Sequence, residues 1–526
     1  MSQEMVTVTI DGIAVSVPKG TTIIEAAKQA GVLVPHYCYH PSLPSPAVCR
    51  MCLVEVEKAP KLMPACVTTV ADGQVVHVQS ERALEQRKGV LEFLLINHPL
   101  DCPICDQSGE CELQDYTFQE GRSATRYTDF AKRFNPVEDF GPDILYVPNR
   151  CILCTRCVRF MDDVAQQATL NVSERGDRAF IGIAEEQRLD HPWSGNVVDL
   201  CPVGSLLSKD FLHKARVWDL DKTGSICTGC SQGCNITIEM RDEVVVRLKP
   251  RPNMDVNRHF MCDHGRMNYR WMNRGDRVEA PLVRNGSGPS GAADWDRALD
   301  AAAALIRAAS GRAVILASGR ASVESLGLVR KLVDSLPVTA AIKVPLGDEA
   351  PLAGVPNLAL RRERVPNLDG GRLLGYTDDW DAAVEAARSA DIVLVLDAEL
   401  SEAEAASLDA ATGKVIALST LVADWQGRAA VVLPVTTMAE ETGVYINRDL
   451  RAQRFQQAKA PPAMARPAWW AAGEILAGQG PDADAPSSAA EAFDMVTRGH
   501  PSLDGLTHDA LGWAGRVVAG GAGVGA

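Results

Sequence analysis

The chain has 526 residues, 46% of them hydrophobic and 23% charged, and a formal net charge of −14 at pH 7. That length exceeds a single core and points to several domains; so acidic a balance, with no basic stripe interleaved with aromatics, excludes nucleic acid as a partner and leaves proteins. No apolar run approaches the eighteen or so residues of a spanning helix, and the start, Met1 to Gly12, lacks the character of a signal or transit peptide, so the cytosol is the expected compartment.

The first predicted elements are two strands, Met5 to Ile10 and Ile13 to Val17, joined at Asp11-Gly12, a strong hairpin signal. A helix follows, with Thr22 and Glu25 spaced as a capping box and Gly31 as its stop. Leu53 to Val56 and Val75 to Val78 complete a small ferredoxin-like sheet that grips the helix. From Ser80 to His98 the pattern is helical, with Leu84, Val90, Leu91, Leu94 and Leu95 on one side and Pro99 at the end. Irregular, cysteine-bearing stretches come next, and Ile236 to Leu248 reads as a hairpin. The rear half then alternates strands (Ala313 to Ala317, Ala340 to Val344, Ile392 to Leu396, Val415 to Leu418, Ala430 to Leu433) with helices at Ser322 to Leu336 and Trp380 to Ala390. Such alternation implies a parallel α/β sheet. Val517 to Ala526 is expected to fray.

All fifteen cysteines lie between Cys38 and Cys262. In a reducing compartment they read as metal ligands rather than disulfides, and they fall into four sets. Cys38, Cys49, Cys52 and Cys66, inside the ferredoxin-like segment, suit a [2Fe–2S] centre. Cys102, Cys105 and Cys111 form a triplet with His98 just upstream. Alone, His98 reads as a side chain on the last carbonyls of the preceding helix. Four closed four-ligand sites, however, need one more donor than fifteen cysteines supply, and this triplet is the one that lacks it. Cys151, Cys154 and Cys157 with the remote Cys201-Pro202 follow the bacterial-ferredoxin pattern of a [4Fe–4S] cluster. Cys227, Cys230, Cys234 and Cys262 make up the last set, the hairpin between them returning the fourth ligand to the first three. Structural zinc is the rival reading for the first and fourth sets. No phosphate loop or dinucleotide fingerprint is present, although Ser318-Gly319-Arg320 is a βα turn of the kind that can face a phosphate at a helix N-terminus. No acid–base pair stands out, so no catalytic residue is named.

The order of these sets resembles the large iron–sulfur subunit (the G subunit) of bacterial proton-pumping NADH:quinone oxidoreductase, respiratory complex I. The resemblance rests on the four sets, on Gln114-Asp115, Cys201-Pro202-Val203-Gly204 and Cys262-Asp263-His264-Gly265-Arg266, and in the rear half on Leu433-Pro434, Glu440 to Asn447 and Arg451-Ala452-Gln453. It implies a multidomain α+β and α/β chain: a β-grasp [2Fe–2S] ferredoxin-like domain (1–80), a [4Fe–4S] segment with one histidine and three cysteine ligands (81–120), a ferredoxin-like four-cysteine [4Fe–4S] domain (121–218), a molybdopterin-oxidoreductase-type four-cysteine [4Fe–4S] domain (219–275) and a degenerate, parallel α/β molybdopterin-oxidoreductase-like domain (276–526). It further implies one [2Fe–2S] and three [4Fe–4S] clusters, the first three relaying single electrons from a flavin-bearing NADH-oxidising subunit toward a ferredoxin-like subunit and quinone. The fourth is expected to lie off that path. The chain would sit peripherally on the cytoplasmic side of the inner membrane, touching it only through the complex. With no cysteine beyond Cys262 to ligate molybdenum, no functional molybdopterin is expected. The same absence disfavours a molybdenum formate dehydrogenase or an iron hydrogenase. A non-redox zinc scaffold is the alternative from another class.

Overall fold

The structure, a computed structural model, describes residues 4–129, 132, 134–184, 186–284, 286, 288, 290–411, 414–479 and 484–518. Most of the end expected to fray, from 519 onward, thus lies outside the described residues. The chain folds into two compact units. The first comprises Met1–Leu220 with Leu352–Pro356, the second Asp221–Pro351 with Asn357–Ala526. Among the described residues no helix is long and apolar enough to cross a membrane.

The first unit begins with the hairpin β1 (Met5–Ile10) and β2 (Ile13–Pro18). Its turn residues Asp11 and Gly12 take φ of 45° and 85°, the left-handed pair that matches strand twist. Alternation places Val6, Val8 and Ile10 on the buried face. Helix α1 (Ile23–Gln29) packs Ile23, Ile24, Ala26 and Ala27 onto that face and stops at Gly31, whose φ is +73°. The expected capping box does not form: Thr22 makes no side-chain cap, and Glu25 accepts a hydrogen bond from the Tyr39 hydroxyl. Strands β3 (Leu53–Val56), β4 (Met63–Pro64) and β5 (Gln74–His77) complete a sheet of order β2-β1-β5-β3-β4, with β1 and β5 parallel.

Helix α2 (Glu81–Asn97) is capped by the Ser80 hydroxyl, which accepts from the Ala83 amide at 3.2 Å. Its inner face differs from the expected leucine row, for Arg87 is fully buried between Ala83 and Leu91. Its terminal guanidinium nitrogens are held there by the Val78 carbonyl and by both carboxylate oxygens of Glu120, at 3.0 and 3.1 Å, at the end of α3 (Glu112–Glu120). Beyond α3, strands β6 (Glu138–Asp139) and β7 (Ile144–Tyr146), the short α4 (Arg156–Arg159), the ribbon β8 (Leu170–Ser173) and β9 (Phe180–Ile183), α5 (Asn196–Leu200) and β10 (Leu206–Ser208) hold long loops in place. The rear-half segment Leu352–Pro356 joins this unit, the Gly354 amide donating to the Val164 carbonyl at 2.7 Å.

The second unit opens with the meander β11 (Asp221–Ile226), β12 (Asn235–Arg241) and β13 (Val244–Pro250), followed by α6 (Asp263–Met267). Its main sheet contains β14 (Leu282–Arg284), β15 (Ser290–Ala292), β16 (Ala313–Ser318), β17 (Val338–Lys343), β20 (Ile392–Leu396), β21 (Val415–Ser419) and β22 (Val431–Pro434) in the order β15-β14-β22-β21-β20-β16-β17; a two-stranded ribbon, β18 (Ala350–Pro351) and β19 (Ala359–Leu360), lies outside it. The five strands from β22 to β17 are parallel and the β14–β15 edge is antiparallel. One face is covered by α7 (Trp295–Ala308), α8 (Val323–Lys331) and the helices Ala468–Ala477 and Ala489–Thr497, the other by Trp380–Ala387. Burial on both faces explains why these strands read as unbroken apolar runs rather than alternating ones. A last sheet joins β23 (Gly443–Ile446), β24 (Arg451–Phe455) and β25 (Arg516–Val517).

Candidate metal centres

Cys38 lies in the long loop after α1, Cys49 and Cys52 lie at the entrance to β3, and Cys66 follows β4. The Cys38 amide approaches the Cys49 sulfur at 3.5 Å, and Cys66 interacts with both Cys38 and Cys52, so the four thiols form one group. The Cys38 thiol together with burial pushes the Cys49 thiol up, while the hydrogen bond with Cys66 brings Cys52 down. Ala47 and Arg50, on either side of Cys49, adopt left-handed φ of 53° and 58°. Strained backbone of this kind clusters where amides are turned toward a ligand.

His98 ends α2, Cys102 begins a short turn, and Cys111 immediately precedes α3. Cys105 feels Cys102, and Cys111 feels both Cys105 and Cys201. Burial, helped by the cations Lys132 and Arg150, lowers the His98 imidazole to about 4. It is therefore neutral at physiological pH, the form that donates a lone pair to a metal. Gly204 runs so close to this loop that a Cβ there would stand 2.1 Å from the Cys105 sulfur.

Cys151, Cys154, Cys157 and Cys201 all line one small cavity, whose walls include Tyr146, Ile152, Ile181, Val203 and Leu206. Leu153 and Thr155, flanking Cys154, take left-handed φ of 53° and 60°, and the Leu153 amide points at the Cys151 sulfur from 3.4 Å. Burial raises Cys151 and Cys201 to about 11, Cys154 to about 12, and Cys157 further. Thiols so desolvated become thiolates only when a cation compensates the charge, which is what iron supplies. The chemistry of this donor set, four thiols lining one cavity, fits a thiolate-ligated cluster.

In the second unit Cys227, Cys230, Cys234 and Cys262 are each 5% exposed. The Cys227 amide donates to the Cys234 carbonyl at 2.8 Å, and the Gly229 and Gly265 amides point at the Cys227 and Cys262 sulfurs from 3.4 and 3.3 Å. A Cβ on Gly265 would come within 2.9 Å of the Cys227 sulfur. Burial again raises all four thiols. Among the described residues no three His, Cys, Asp or Glu side chains are grouped to hold a single metal ion.

Two arginines and a glutamate that sequence reasoning missed connect the sets of the first unit. Arg159 donates to the Cys38 carbonyl at 2.5 Å and to the Cys154 carbonyl at 3.2 Å, joining the first set to the third. Arg156 pairs with both carboxylate oxygens of Glu112 at 3.0 and 3.2 Å and donates to the Leu200 carbonyl at 3.3 Å. Glu112 follows Cys111 and Leu200 precedes Cys201, so this pair joins the second set to the third. Cys38, Cys111 and Cys154, one from each set, share a single buried cluster with Tyr37, Met51, Leu91, Tyr116 and Val203. The available signal was Cys154-Thr-Arg-Cys-Val-Arg159, with cations placed within and just beyond a thiolate loop.

Family models match five stretches of the chain. They are a 2Fe-2S iron–sulfur cluster binding domain (residues 3–81), the NADH-ubiquinone oxidoreductase-G iron–sulfur binding region (87–126), the ferredoxin-like domain of NADH-quinone oxidoreductase subunit 3 (141–207), the molybdopterin oxidoreductase Fe4S4 domain (220–274) and molybdopterin oxidoreductase (401–477). The G subunit of the NADH-quinone oxidoreductase of Rickettsia bellii is 40% identical over 63% of this chain and 48% of its own length. The mitochondrial NADH-ubiquinone oxidoreductase 78 kDa subunit of Candida albicans is 42% identical over 63% of this chain and 46% of its own. Among solved structures, a chain of an NAD+-reducing [NiFe]-hydrogenase in the H2-reduced state is 30% identical with a TM-score of 0.37, covering 40% of this chain and 91% of that one. The chain thus spans about half the length of the curated relatives it matches.

Proposed function

We propose, from the premise that this chain is a homologue of the G subunit of NADH-quinone oxidoreductase, that it relays single electrons within the peripheral arm of a proton-pumping NADH:quinone oxidoreductase. In this reading it takes electrons from a flavin-bearing, NADH-oxidising subunit and passes them to a ferredoxin-like subunit on the way to quinone, on the cytoplasmic side of a bacterial inner membrane. When bound, the clusters supply reversible one-electron chemistry. Cys38, Cys49, Cys52 and Cys66 would hold a [2Fe–2S] cluster. His98 with Cys102, Cys105 and Cys111, then Cys151, Cys154, Cys157 and Cys201, then Cys227, Cys230, Cys234 and Cys262, would each hold a [4Fe–4S] cluster.

The observation that carries this reading is the shared buried cluster of Cys38, Cys111 and Cys154. Ligands from three sets packed in one apolar core leave little protein between their sites. Arg159 on one side, and the Arg156–Glu112 pair on the other, order them as first, third and second sets. The chain's own residues do three things here: they exclude water, they fix the thiolates by amide-to-sulfur bonds, and they place positive charge between adjacent anionic sites. The fourth set belongs to the other compact unit and lies off this path. No molybdopterin is assigned, since no thiolate lies beyond Cys262.

Anaerobically prepared protein should contain about fourteen irons, from one two-iron and three four-iron clusters. Reduced protein should lose one distinct low-temperature EPR signal in Cys154→Ser and another in His98→Ala. Zinc in place of iron, or spectra unchanged in both variants, would overturn the assignment.

A further inference from the structure

The turn Ser231-Gln232-Gly233, between Cys230 and Cys234 of the fourth set, is gripped by segments far along the chain. The Asn447 side-chain amide donates to the Gln232 carbonyl at 3.0 Å, and that of Gln453 to the Gly233 carbonyl at 2.9 Å. Both residues belong to the rear-half motifs that stand out in the sequence. A second grip comes from the stretch Arg361-Arg362-Glu363-Arg364, directly after β19. The Ser231 amide donates to the Glu363 carbonyl at 2.9 Å, and the Ser231 hydroxyl to the Glu363 carboxylate at 3.0 Å.

Within this stretch Arg361 meets the ligand set directly. Its backbone amide donates to the Cys230 sulfur, and both Cys230 and Cys234 feel its charge. All three guanidinium nitrogens are committed: Nε donates to the buried Gln232 side chain at 2.8 Å, Nη1 to the Glu349 carboxylate at 2.8 Å and Nη2 to the Asn357 carbonyl. The pair with Glu349 is lopsided, for the Arg361 side chain is 11% exposed and that of Glu349 43%. Water therefore screens the carboxylate while the cation faces the buried thiols. Arg364, which donates to the carbonyls of Arg361 and Asp348, brings a second positive charge toward Cys230. Asp263, the acidic neighbour of Cys262, is offset by Arg266 at 3.6 Å.

We propose that Arg361 tunes the fourth cluster, its buried guanidinium raising the reduction potential of the site from behind the Ser231-Gln232-Gly233 turn. This rests on the reading that Cys227, Cys230, Cys234 and Cys262 hold a [4Fe–4S] cluster, and deepens it: a site off the electron path is nonetheless built to accept an electron. A cluster on four thiolates is anionic, and a fixed cation beside it favours the state with one more electron. Glu349 works in the opposite sense, subtracting from the charge that Arg361 presents. Asn447 and Gln453 hold the turn without help from Arg361, so the cluster survives replacement of that side chain.

The test is a redox titration of the full, cluster-loaded chain, followed by low-temperature EPR and read on the signal that Cys230→Ser abolishes. Arg361→Gln should make that cluster about tenfold harder to reduce, a shift of about 59 mV for one electron, and Glu349→Gln should move it the other way, with the remaining signals unchanged. A merely structural role would move both variants in the same direction. A potential that Arg361→Gln leaves in place, or shifts of one sign in both variants, would overturn the proposal while leaving the cluster assignment standing. Should Arg361→Gln lose its iron, the half-exposed Glu349→Gln decides alone: a raised potential supports the proposal and an unchanged one overturns it. Zinc at the site, or no signal lost in Cys230→Ser, would overturn the underlying reading and the proposal with it.

Discussion

The two compact units are stabilised by different physics. In the second, five parallel strands lie between two helical layers, and the strands β16, β20 and β21 are buried almost without exception. In the first, two of the apolar clusters include cysteines of the proposed ligand sets: Cys52 and Cys66 in one, Cys38, Cys111 and Cys154 in the other. A core that includes metal ligands is completed only when the metal is bound. The lesson is that iron should be structural for the first unit and incidental to the sheet of the second.

The sharpest way to break this comparison is to remove the iron. Chelation under reducing conditions should make 81–218 exchange its amides and admit protease, while β16, β20 and β21 remain protected; hydrogen exchange read by mass spectrometry resolves the two. Equal loss of protection in both units would contradict it.

Next in size is the Arg277–Glu440 pair of the second unit, at 2.6 and 2.8 Å with both side chains almost wholly buried. Arg277→Met leaves the buried Glu440 carboxylate with only Lys459, at 3.5 Å, and the Thr437 amide, and should cost about 2–4 kcal/mol, seen as a lower melting point of the sheet with cluster absorbance retained. A loss of iron instead would show that the units are not independent.

Glu441 sharpens the comparison through pH. Burial, reinforced by Glu324, Glu440 and Asp397 and opposed by the Thr436 hydroxyl, raises its carboxyl to about 8. An unfolded glutamate titrates near 4.3, so between these values the folded state holds a proton that the unfolded state has released. Its contribution is therefore fully present below about 4.3, falls as pH rises, and levels off above about 8. Glu441→Gln should raise the melting temperature of the second unit progressively between pH 5 and 8; a pH-independent difference would remove Glu441 as the cause.

The smallest effect is at α7, where Asp294 caps the Arg297 amide at 2.9 Å. Asp294→Ala should cost about 1 kcal/mol in urea unfolding of the second unit and leave iron content unchanged.

Much of this division was legible in the residues. Cysteine spacing suggested the four proposed ligand groups, because a cluster demands thiolates at short intervals, and the apolar runs at 313–317, 392–396 and 415–418 read directly as buried strands. What escaped notice depended on distant partners. Arg159 meets the Cys38 carbonyl across 121 positions and Arg156 meets Glu112 across 44, so no local pattern announces either. Arg87 was hidden for a similar reason: a cation in a helix's inner face looks like an error until Glu120 is seen beside it. Thr22 and Glu25 show the reverse case, a local motif present in sequence that does not form, Glu25 accepting from Tyr39. The helix α7 was missed although Asp294 caps it and its buried face of Ala298, Ala302, Ala303 and Ile306 stands opposite charged residues.

The central claim is that the first and third sets hold adjacent redox sites with Arg159 between them. Redox titration of Arg159→Leu, followed by EPR, tests it most directly. Losing a cation shared by two anionic sites should lower the reduction potentials of the [2Fe–2S] signal and of the signal abolished by Cys154→Ser, both together. Potentials unchanged in both, or a shift in only one, would contradict the account.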